Sequence, residues 1–302
     1  MIIASIKSFS HFLDILDLCD GVVINSKFSI SINPIPNDEE IDKIINESNK
    51  FNKLVILDIS SIMENEEVLE LESYIKKYID KNVKFLYTDI GIHMLLKKYR
   101  IENRGIYDPK TLITNSYDMN LYLDSNVFAV GLSNEIPLRD VYNMSQKKKG
   151  NIWLKVFGYH QMFYSKRKLI SVYYKHKKIS NEIKRETTFL REETRPDLFH
   201  IDENIHGTVI YRSYVLSYLR DLDKIRDIDF MYLDSAFIDE EDFNLVLSIY
   251  NKTISGEMYL DEALDYLNEM FQIEDGFMYN DTVYKKEELK WRNLNYSLLL
   301  EI

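Results

Sequence analysis

The sequence predicts an α/β fold, a (β/α)8 TIM-like barrel that is distorted at one point. Short apolar runs recur along the chain, and amphipathic helical segments separate them. The runs are rich in Val, Ile, Leu and Phe, which is typical of parallel strands buried on both faces. A chain of 302 residues also has the length of one α/β barrel, so we expect a single domain over residues 1–302.

Eight of the apolar runs have the length of strands. They cover residues 2–6, 21–25, 54–59, 83–88, 105–107, 127–131, 152–157 and 230–233. Repeated alternation of strands and helices favours a parallel sheet with right-handed crossovers. The alternative is a doubly wound open sheet. The first strand is not followed by G-x-G-x-x-G and the sequence has no P-loop, which favours the barrel.

The helical segments carry their own start signals. "NDEEIDKIINESNKF" begins with Asn37 as a cap and continues with acids in the first turn, where the helix dipole favours them. "NEEVLELESYIKKYI" places Val68, Leu71 and Ile75 at helical spacing, which predicts one apolar helix face. "DEEDFNLVLSIYNKTI" follows the last strand in the same manner.

Residues 160–226 interrupt the alternation after the seventh strand. The pattern in "LFHIDENIHGTVIYR" predicts a β-hairpin that turns near residues 204–207. The segment "YVLSYLRDLDKI", residues 214–225, predicts a helix. Insertions of this size in a barrel are usually functional, so we expect the excursion to belong to the site.

The composition excludes several classes of protein. The single cysteine, Cys19, can form no disulfide framework and cannot hold an iron–sulfur cluster. It is typical of the reducing cytoplasm. We expect no membrane association, because no stretch approaches the ~20 apolar residues of a membrane span. The histidines considered as metal ligands are His93, His160, His200 and His206. Their spacing is not that of a metal site, so no metal or other cofactor is evident.

The charge is strongly segregated along an acidic chain. The formal net charge is -11, yet residues 147–185 contain twelve bases and one acid and carry +11, which leaves -22 on the remainder. Segregation on this scale creates a local field that attracts anions. The alternative interpretation is a solvated, lysine-rich surface.

Four segments in order resemble one known family. They are "VGLSNEIPL", "WLKVFGYHQMFYSKRKLIS", "DENIHGTVIYRSYVLSYLRDL" and "DGFMYNDTVY". Together they resemble the collagenase-like peptidase U-thirty-two family over essentially the whole chain. The chain is most similar to the short members that lack an extra C-terminal domain.

This resemblance implies a (β/α)8-type barrel and three alternative functions. The family name implies a collagenase-like peptidase. Several members are linked instead to oxygen-independent hydroxylation, and the short members to hydroxylation of the tRNA wobble uridine. In the tRNA-modifying members, two paralogues act together and a prephenate-like carboxylate is implicated. If this chain acts on tRNA as well, its positively charged segment 147–185 is expected to attract the RNA. The third alternative is a non-catalytic partner subunit of a longer paralogue.

The chain departs from the family pattern at two points. The family usually has His-Gly at the end of the seventh strand, where this chain has Phe157-Gly158. The family cysteines are missing as well. These departures favour the third alternative and leave it undecided whether the chain is an enzyme. We nevertheless expect a component of tRNA wobble-uridine hydroxylation first and a peptidase second.

Lys155 stands in an otherwise apolar strand. Strict alternation would place Phe157 and Tyr159 on the same face as Lys155. A lysine that faces the barrel interior needs an anion as its partner. We expect that anion to be either a protein carboxylate or a bound ligand.

Ser165, Lys166 and Arg167 are the residues that we expect to bind a small carboxylate or an RNA phosphate at the barrel mouth. The same anion site would include Lys155 and Tyr159. An arginine fork suits either anion, and the neighbouring hydroxyl and ammonium groups add donors. Tyr164 is expected to stack on a base or ring. The alternative is an exposed basic turn without a ligand.

Four further candidates follow predicted strands. Glu135 corresponds by resemblance to an acid typical of the family and is a weak candidate for a general base. Asp89, His160 and Asp234 are secondary candidates, because the carboxyl ends of barrel strands carry the active site. The alternative role for both aspartates is capping of the following helix.

Overall fold

The computed structural model describes residues 1–179, 188–193 and 197–280. Eight parallel strands form a closed barrel, because the last strand pairs both with the first strand and with the seventh. The predicted (β/α)8 fold is therefore confirmed. The barrel strands are β1 (Ile2–Ser5), β2 (Gly21–Asn25), β3 (Leu54–Asp58), β4 (Lys84–Tyr87), β5 (Gly105–Tyr107), β6 (Ala129–Gly131), β7 (Asn151–Ser165) and β11 (Phe230–Leu233).

Helices connect most of these strands on the outside of the barrel. The helix that follows β2 begins at the predicted cap, where the Asn37 side chain accepts a hydrogen bond from the Glu40 amide at 3.0 Å. The helices are α1 (Phe9–Asp14), α2 (Asp38–Lys50), α3 (Asn65–Tyr78), α4 (Ile90–Lys98), α5 (Ser116–Asp124), α6 (Leu138–Ser145), α7 (Leu169–Lys177), α8 (Glu240–Ser255) and α9 (Leu260–Met270). In the described ranges, no helix is long and apolar enough to cross a membrane.

The core has two apolar layers, one on each side of the barrel wall. Alternate strand residues point into the barrel, among them Ile3, Val23, Ile56 and Trp153. Their neighbours along the strands point outward and pack under the helices, together with the buried helix residues Leu71 and Ile75. Because the interior is filled with side chains, the space for a ligand is limited to the ends of the barrel.

β7 differs from the other barrel strands in its length. The sequence predicts a strand that ends at residue 157, but β7 continues to Ser165, beyond the barrel wall. There β10 (Gly207–Ser217) pairs with it antiparallel, and β9 (Leu198–Asn204) and β8 (Phe189–Arg191) follow in order. The predicted hairpin turn at residues 204–207 is confirmed.

The helix predicted for residues 214–225 is wrong. Val215 and Leu216 lie in β10 and pair with β7, and only a short 3-10 turn, Leu219–Asp221, follows. Both residues are buried in the outer core layer. Pairing with β7 satisfies their backbone and buries their side chains at once, so tertiary contacts outweigh the helical pattern.

Candidate functional site at the barrel mouth

A cluster of buried charges lies at the carboxyl ends of the barrel strands. Asp58 ends β3, Asp108 and Lys110 follow β5, Lys155 lies within β7, and Asp234 follows β11. All five side chains line one cavity. Parallel strands bring these residues together although they are far apart in the sequence, and this end of a barrel is where active sites form.

Two ion pairs organise the cluster. The Lys155 ammonium donates to an Asp234 oxygen at 2.7 Å and to the carbonyl oxygen of Tyr159 at 2.6 Å. The Lys110 ammonium donates to an Asp108 oxygen at 2.6 Å. The anion expected for Lys155 is therefore Asp234, a protein carboxylate.

Burial and pairing oppose each other in the protonation of these pairs. Burial raises the pKa of Asp234, but Lys155, the Ala236 amide and Lys110 together outweigh it and the net pKa is lowered. Burial lowers the pKa of Lys155, and Asp234 offsets only part of that shift. For Lys110 burial is again the largest influence, yet Asp108, Asp58 and Asp234 together more than compensate and the pKa is raised.

Asp58 is the carboxylate of the cluster that lacks a direct ion pair. It accepts hydrogen bonds from the Ser29 hydroxyl at 2.7 Å and from the Ser60 amide at 2.9 Å. Burial raises its pKa above the ordinary value, despite these donors and the nearby Lys110. Asp58 is therefore the group of the cluster best suited to take up or release a proton.

The cavity beside these charges has a volume of about 40 Å³, which exceeds the roughly 15 Å³ that one ordered water needs. Trp153 and Tyr232 belong to its apolar floor. Gln161 and Tyr211 line it from the strands that continue beyond the barrel. In this arrangement the cavity admits a group the size of a carboxylate or a few waters.

A β-bulge sets the direction of the Phe157 side chain. The pairing of β7 with β11 shifts by one residue after Lys155, so that Tyr232 pairs with Lys155 and Leu233 with Phe157. The expectation that Phe157 shares the face of Lys155 is wrong: Phe157 packs in the outer layer against Tyr250. The bulge inserts an extra residue and thereby reverses the alternation.

Two residues other than glycine have left-handed backbones at the mouth. Lys110 has a φ of 63° and Phe237, in the loop after β11, has a φ of 62°. This conformation is uncommon for any side chain and unusual for a bulky one. Such strain persists where the surrounding structure imposes it, and it concentrates at functional sites.

An aromatic group, which we call the roof, covers the mouth. The rings of His200 and Phe237 stack with centroids 4.3 Å apart, and Tyr159 and Tyr211 contact them at 4.5 and 5.0 Å. β7, β9 and β10 each supply part of the roof. The excursion expected to belong to the site therefore contributes to the cavity lining, through Gln161 and Tyr211.

His160 is buried beside this site without a partner. It is 1% exposed, and neither ring nitrogen has a hydrogen-bond partner within the part of the chain that the structure describes. Burial, reinforced by Lys155 and Arg212, lowers its pKa well below the ordinary value. A neutral imidazole with both nitrogens open can accept or donate one hydrogen bond to a small molecule.

The structure does not bring Lys155 together with Ser165, Lys166 and Arg167. Ser165 lies ten residues further along β7, roughly 30 Å along an extended strand. Lys166 pairs with Glu67 at 2.5 Å and with Glu64 at 3.4 Å, at the start of α3. The structure therefore does not bring the two lysines together in a single anion site.

The neighbours of Lys166 have different environments. The Ser165 hydroxyl accepts a hydrogen bond from the Arg167 amide at 3.2 Å, and the Tyr164 hydroxyl donates to the carbonyl of His206 at 3.0 Å. The Arg167 side chain is exposed and forms no ion pair within the described ranges. Of this group, Arg167 is the residue most accessible to an anion.

Glu135 and Asp89 lie outside the charge cluster. Glu135 is partly exposed, and its carboxylate is 4.0 Å from the Arg212 guanidinium. Asp89 caps α4 by accepting from the Gly91 amide at 2.7 Å, and it also accepts from the Met63 amide at 3.0 Å. The capping role thus accounts for Asp89, whereas Asp234 forms the buried ion pair.

The basic segment 147–185 is divided between the two ends of the barrel. Lys148 and Lys149 precede β7 and pair with Asp229 and Asp124, each at 2.6 Å. Lys155 lies inside, and the basic residues from Lys166 onward follow the far end of β7. Residues 180–185 lie outside the described ranges. The segment therefore does not form one continuous binding surface.

Asp58 and Lys110 are members of the cluster that sequence reasoning missed. Asp58 ends a buried strand, as Asp234 nearly does, so its position was a usable signal. Asp108 precedes Pro109, where a turn is the natural explanation. Lys110 lies two residues into that loop, and its inward direction depends on a left-handed backbone that the sequence does not reveal. No metal-binding group of His, Cys, Asp or Glu is found in the described parts of the chain.

The fold and the site define the class: a (β/α)8 barrel with a roofed cluster of buried charges at its mouth. The chain belongs to peptidase family U32, whose sequence model matches residues 32–286. A protein of Bacillus subtilis (strain 168) described as "tRNA hydroxylation protein P2" is 22% identical over 265 residues, which cover 82% of this chain and 86% of that protein.

Solved structures of low sequence identity were also matched. The U32 peptidase Mk0906 aligns with a TM-score of 0.48 and 11% identity, over 77% of this chain and 91% of that chain. The spore cortex-lytic enzyme SleL of Bacillus cereus aligns with a TM-score of 0.39 and 10% identity, over 83% of this chain and 74% of that chain.

Proposed function

We propose that this protein is a component of tRNA wobble-uridine hydroxylation that does not use oxygen. The observation that carries the proposal is the similarity to the tRNA hydroxylation protein P2, which extends over most of both chains. Membership of peptidase family U32 agrees with it. The barrel mouth is the ligand site of this proposal.

The ligand that we propose for the mouth is a small carboxylate, as the family resemblance suggests. The cavity contains three carboxylates and two ammonium groups, so a further anion is unfavourable while all of them are charged. Because the pKa of Asp58 is raised, this carboxylate takes up a proton more readily than an ordinary aspartate. With a proton on Asp58 the cluster is neutral, and Lys155 or Lys110 can share its charge with the ligand. Binding of the carboxylate should therefore be accompanied by proton uptake and should weaken as the pH rises.

The roof limits the size of the ligand. A cavity of about 40 Å³ is far below the roughly 300–1,000 Å³ of ordinary ligand pockets. Only the carboxylate end of a ligand fits while Tyr211 and Gln161 remain in place. The same limit argues against the second candidate function, a collagenase-like peptidase, because an extended peptide needs an open cleft.

The replacement of the family histidine does not by itself imply an inactive subunit. Phe157 points into the outer layer and not into the mouth, so this substitution removes no group from the cluster. The test of the partner-subunit alternative is purification of the tagged protein from its own cells. Recovery of a longer family member in fixed proportion, with hydroxylation only in its presence, would favour that alternative.

The test of the proposed function is a mass-spectrometric inventory of tRNA nucleosides from cells with and without the gene. We expect the deletion to lose hydroxylated wobble uridine and the wild-type gene to restore it. Asp58→Asn, which keeps an oxygen acceptor for the Ser60 amide, should fail to restore it, although the soluble protein level is maintained. Lys43→Gln, at an exposed lysine of α2, is the control and should restore it fully. An unchanged inventory in a strain without a redundant paralogue would overturn the proposal. Peptidase assays would then be the next experiment.

A further inference from the structure

We propose that the exposed surface of α7 binds the phosphate backbone of an RNA. We define this α7 surface by Arg167, Lys168, Lys175, Lys177 and Lys178. The inference rests on the proposed function, for which it names the part of the molecule that holds the tRNA. The expected RNA-binding region is thereby narrowed from the whole basic segment 147–185 to a surface that is exposed in the structure.

The charge on this surface is positive and uncompensated. Residues 166–178 contain six lysines and arginines and no acid. Lys166 is neutralised by Glu67 and Glu64. The other five cations are exposed and have no ion-pair partner within the ranges that the structure describes. They are therefore free to replace the counterions of a nucleic acid, which is the main source of affinity for a phosphate backbone.

The helix presents Lys168 and Lys175 away from the barrel. Ile170 is the buried residue of α7. Lys168, Val172 and Lys175 follow at the i, i+4 and i+7 positions of one helix side, and that side is opposite Ile170. A helix of nine residues is about 13 Å long, which is enough for contacts with more than one phosphate.

The helix is held firmly to the strands that cover the mouth. The buried Glu203 carboxylate on β9 accepts hydrogen bonds from the amides of Ile170, at 2.7 Å, and Ser171, at 3.2 Å, and from the Ser171 hydroxyl. The Leu169 amide donates to the Thr208 hydroxyl at 2.9 Å. An RNA bound to α7 would thus be fixed relative to the barrel mouth.

Exposed aromatic rings favour RNA over an acidic protein as the partner. Tyr173 on α7 is 53% exposed, and Phe163 on β7 is 44% exposed. Rings beside cations are the arrangement that stacks unpaired bases while the cations contact the backbone. Bases in RNA loops are accessible in this way, whereas bases in an A-form helix are not. The acidic remainder of the chain, with a charge of -22, repels a polyanion and restricts it to this surface.

The experiment is a fluorescence-anisotropy titration of the full-length protein with a labelled anticodon stem–loop RNA, from about 50 to about 200 mM salt. The test variant is Arg167→Gln/Lys168→Gln/Lys175→Gln. We expect its dissociation constant to rise by roughly tenfold or more. The slope of log K against log salt should fall by about 2 to 3, since each lost phosphate contact removes about 0.7–0.9.

The control variant has the same change in net charge at other places. Lys43→Gln/Lys97→Gln/Lys252→Gln removes three exposed lysines from α2, α4 and α8. We expect it to bind like the wild type. An equal loss in both triple variants would assign the effect to net charge and overturn the inference, as would unchanged binding by the test variant. An α7-dependent self-association of the wild type, without RNA binding, would also overturn it.

The same variants separate this inference from the proposed function. If the deletion strain loses hydroxylated uridine but the α7 variant restores it and binds RNA normally, the α7 inference fails and the proposed function stands. If the deletion leaves hydroxylation intact while the α7 variant loses RNA binding, the α7 surface stands as an RNA site and the proposed function fails.

Discussion

Gly158 allows the backbone of β7 to pass close to the buried Lys155–Asp234 ion pair. Its φ is +122°, and a β-carbon there would lie 2.7 Å from the carbonyl oxygen of Asp234 and 3.3 Å from the Lys155 side chain. No other residue fits both the backbone conformation and the space. The glycine of the family pattern, Gly158 within β7, thus has a physical cause in this chain.

Gly158→Ala should destabilise the protein by about 3 kcal/mol, because it combines a strained backbone with a steric clash. Urea denaturation at neutral pH measures the change. Gly256→Ala is the matched control, since Gly256 also has a positive φ of +79° but no atom within 4 Å of the added carbon. It should lower the free energy of unfolding by about 1 kcal/mol. Equal effects of the two substitutions would show that the close approach at Gly158 is unimportant.

His160 makes the stability depend on pH in the acidic range. Its pKa in the folded protein is lowered well below the ordinary histidine value of 6.5, so the unfolded chain binds a proton first as the pH falls. The stabilisation due to neutral His160 is complete above the unfolded pKa and is lost as the pH falls from there towards the folded pKa.

His160→Leu should remove this dependence. Below pH ~6.5 the wild type should lose about 1.4 kcal/mol more per pH unit than the variant, until the folded pKa is reached. Chemical denaturation of both proteins between pH 7 and about pH 5 measures the two slopes. Parallel slopes would mean that His160 has a partner or solvent access in the folded protein.

At the scale of elements, α7 depends on a side chain from another element for its start. Lys168 precedes the helix and offers no side-chain cap, whereas Glu203 on β9 accepts from the first amides of the helix. A carboxylate at a helix N-terminus satisfies open donors and interacts favourably with the helix dipole. The helix is therefore stable only while the hairpin is in place.

Glu203→Ala should loosen α7 without unfolding the barrel. Loss of the charged cap is expected to cost about 2 kcal/mol locally, which corresponds to roughly thirtyfold faster hydrogen exchange of the α7 amides. Hydrogen-exchange mass spectrometry compares these amides with those of α8. Glu203→Gln keeps the acceptor and should lie between wild type and the alanine variant. Unchanged exchange in α7 would contradict the capping role.

At the scale of the whole molecule, the Lys155–Asp234 pair joins the two strands that close the barrel. The residues are far apart in the chain, and both side chains are about 90% buried, with exposures of 11% and 10%. Ser5 of β1 also donates to Asp234, at 3.3 Å. The pair thus links β7, the loop after β11 and the first strand.

A double-mutant cycle on this pair should show strong coupling. Lys155→Met and Asp234→Asn should each destabilise the protein by about 3–5 kcal/mol, since each leaves a buried group without its partner. The double variant should cost less than the sum, with a coupling energy of about 1–3 kcal/mol. Equilibrium denaturation of all four proteins measures it. Additive effects would show that the two charges act independently.

The sequence by itself determined the barrel, the order of its strands and the main helix starts, because these depend on local patterns of apolar residues and on caps such as Asn37. It also indicated Lys155, within an otherwise apolar strand, and Asp234, at a strand end, as candidate site residues. Only the tertiary structure decided which polar groups meet. A one-residue bulge directs Phe157 outward. The left-handed backbone of Lys110 directs its side chain inward. Lys166 is already paired with a carboxylate of α3 and is therefore not available to a ligand. Such outcomes depend on pairing between distant segments, and local sequence patterns contain no information about that pairing.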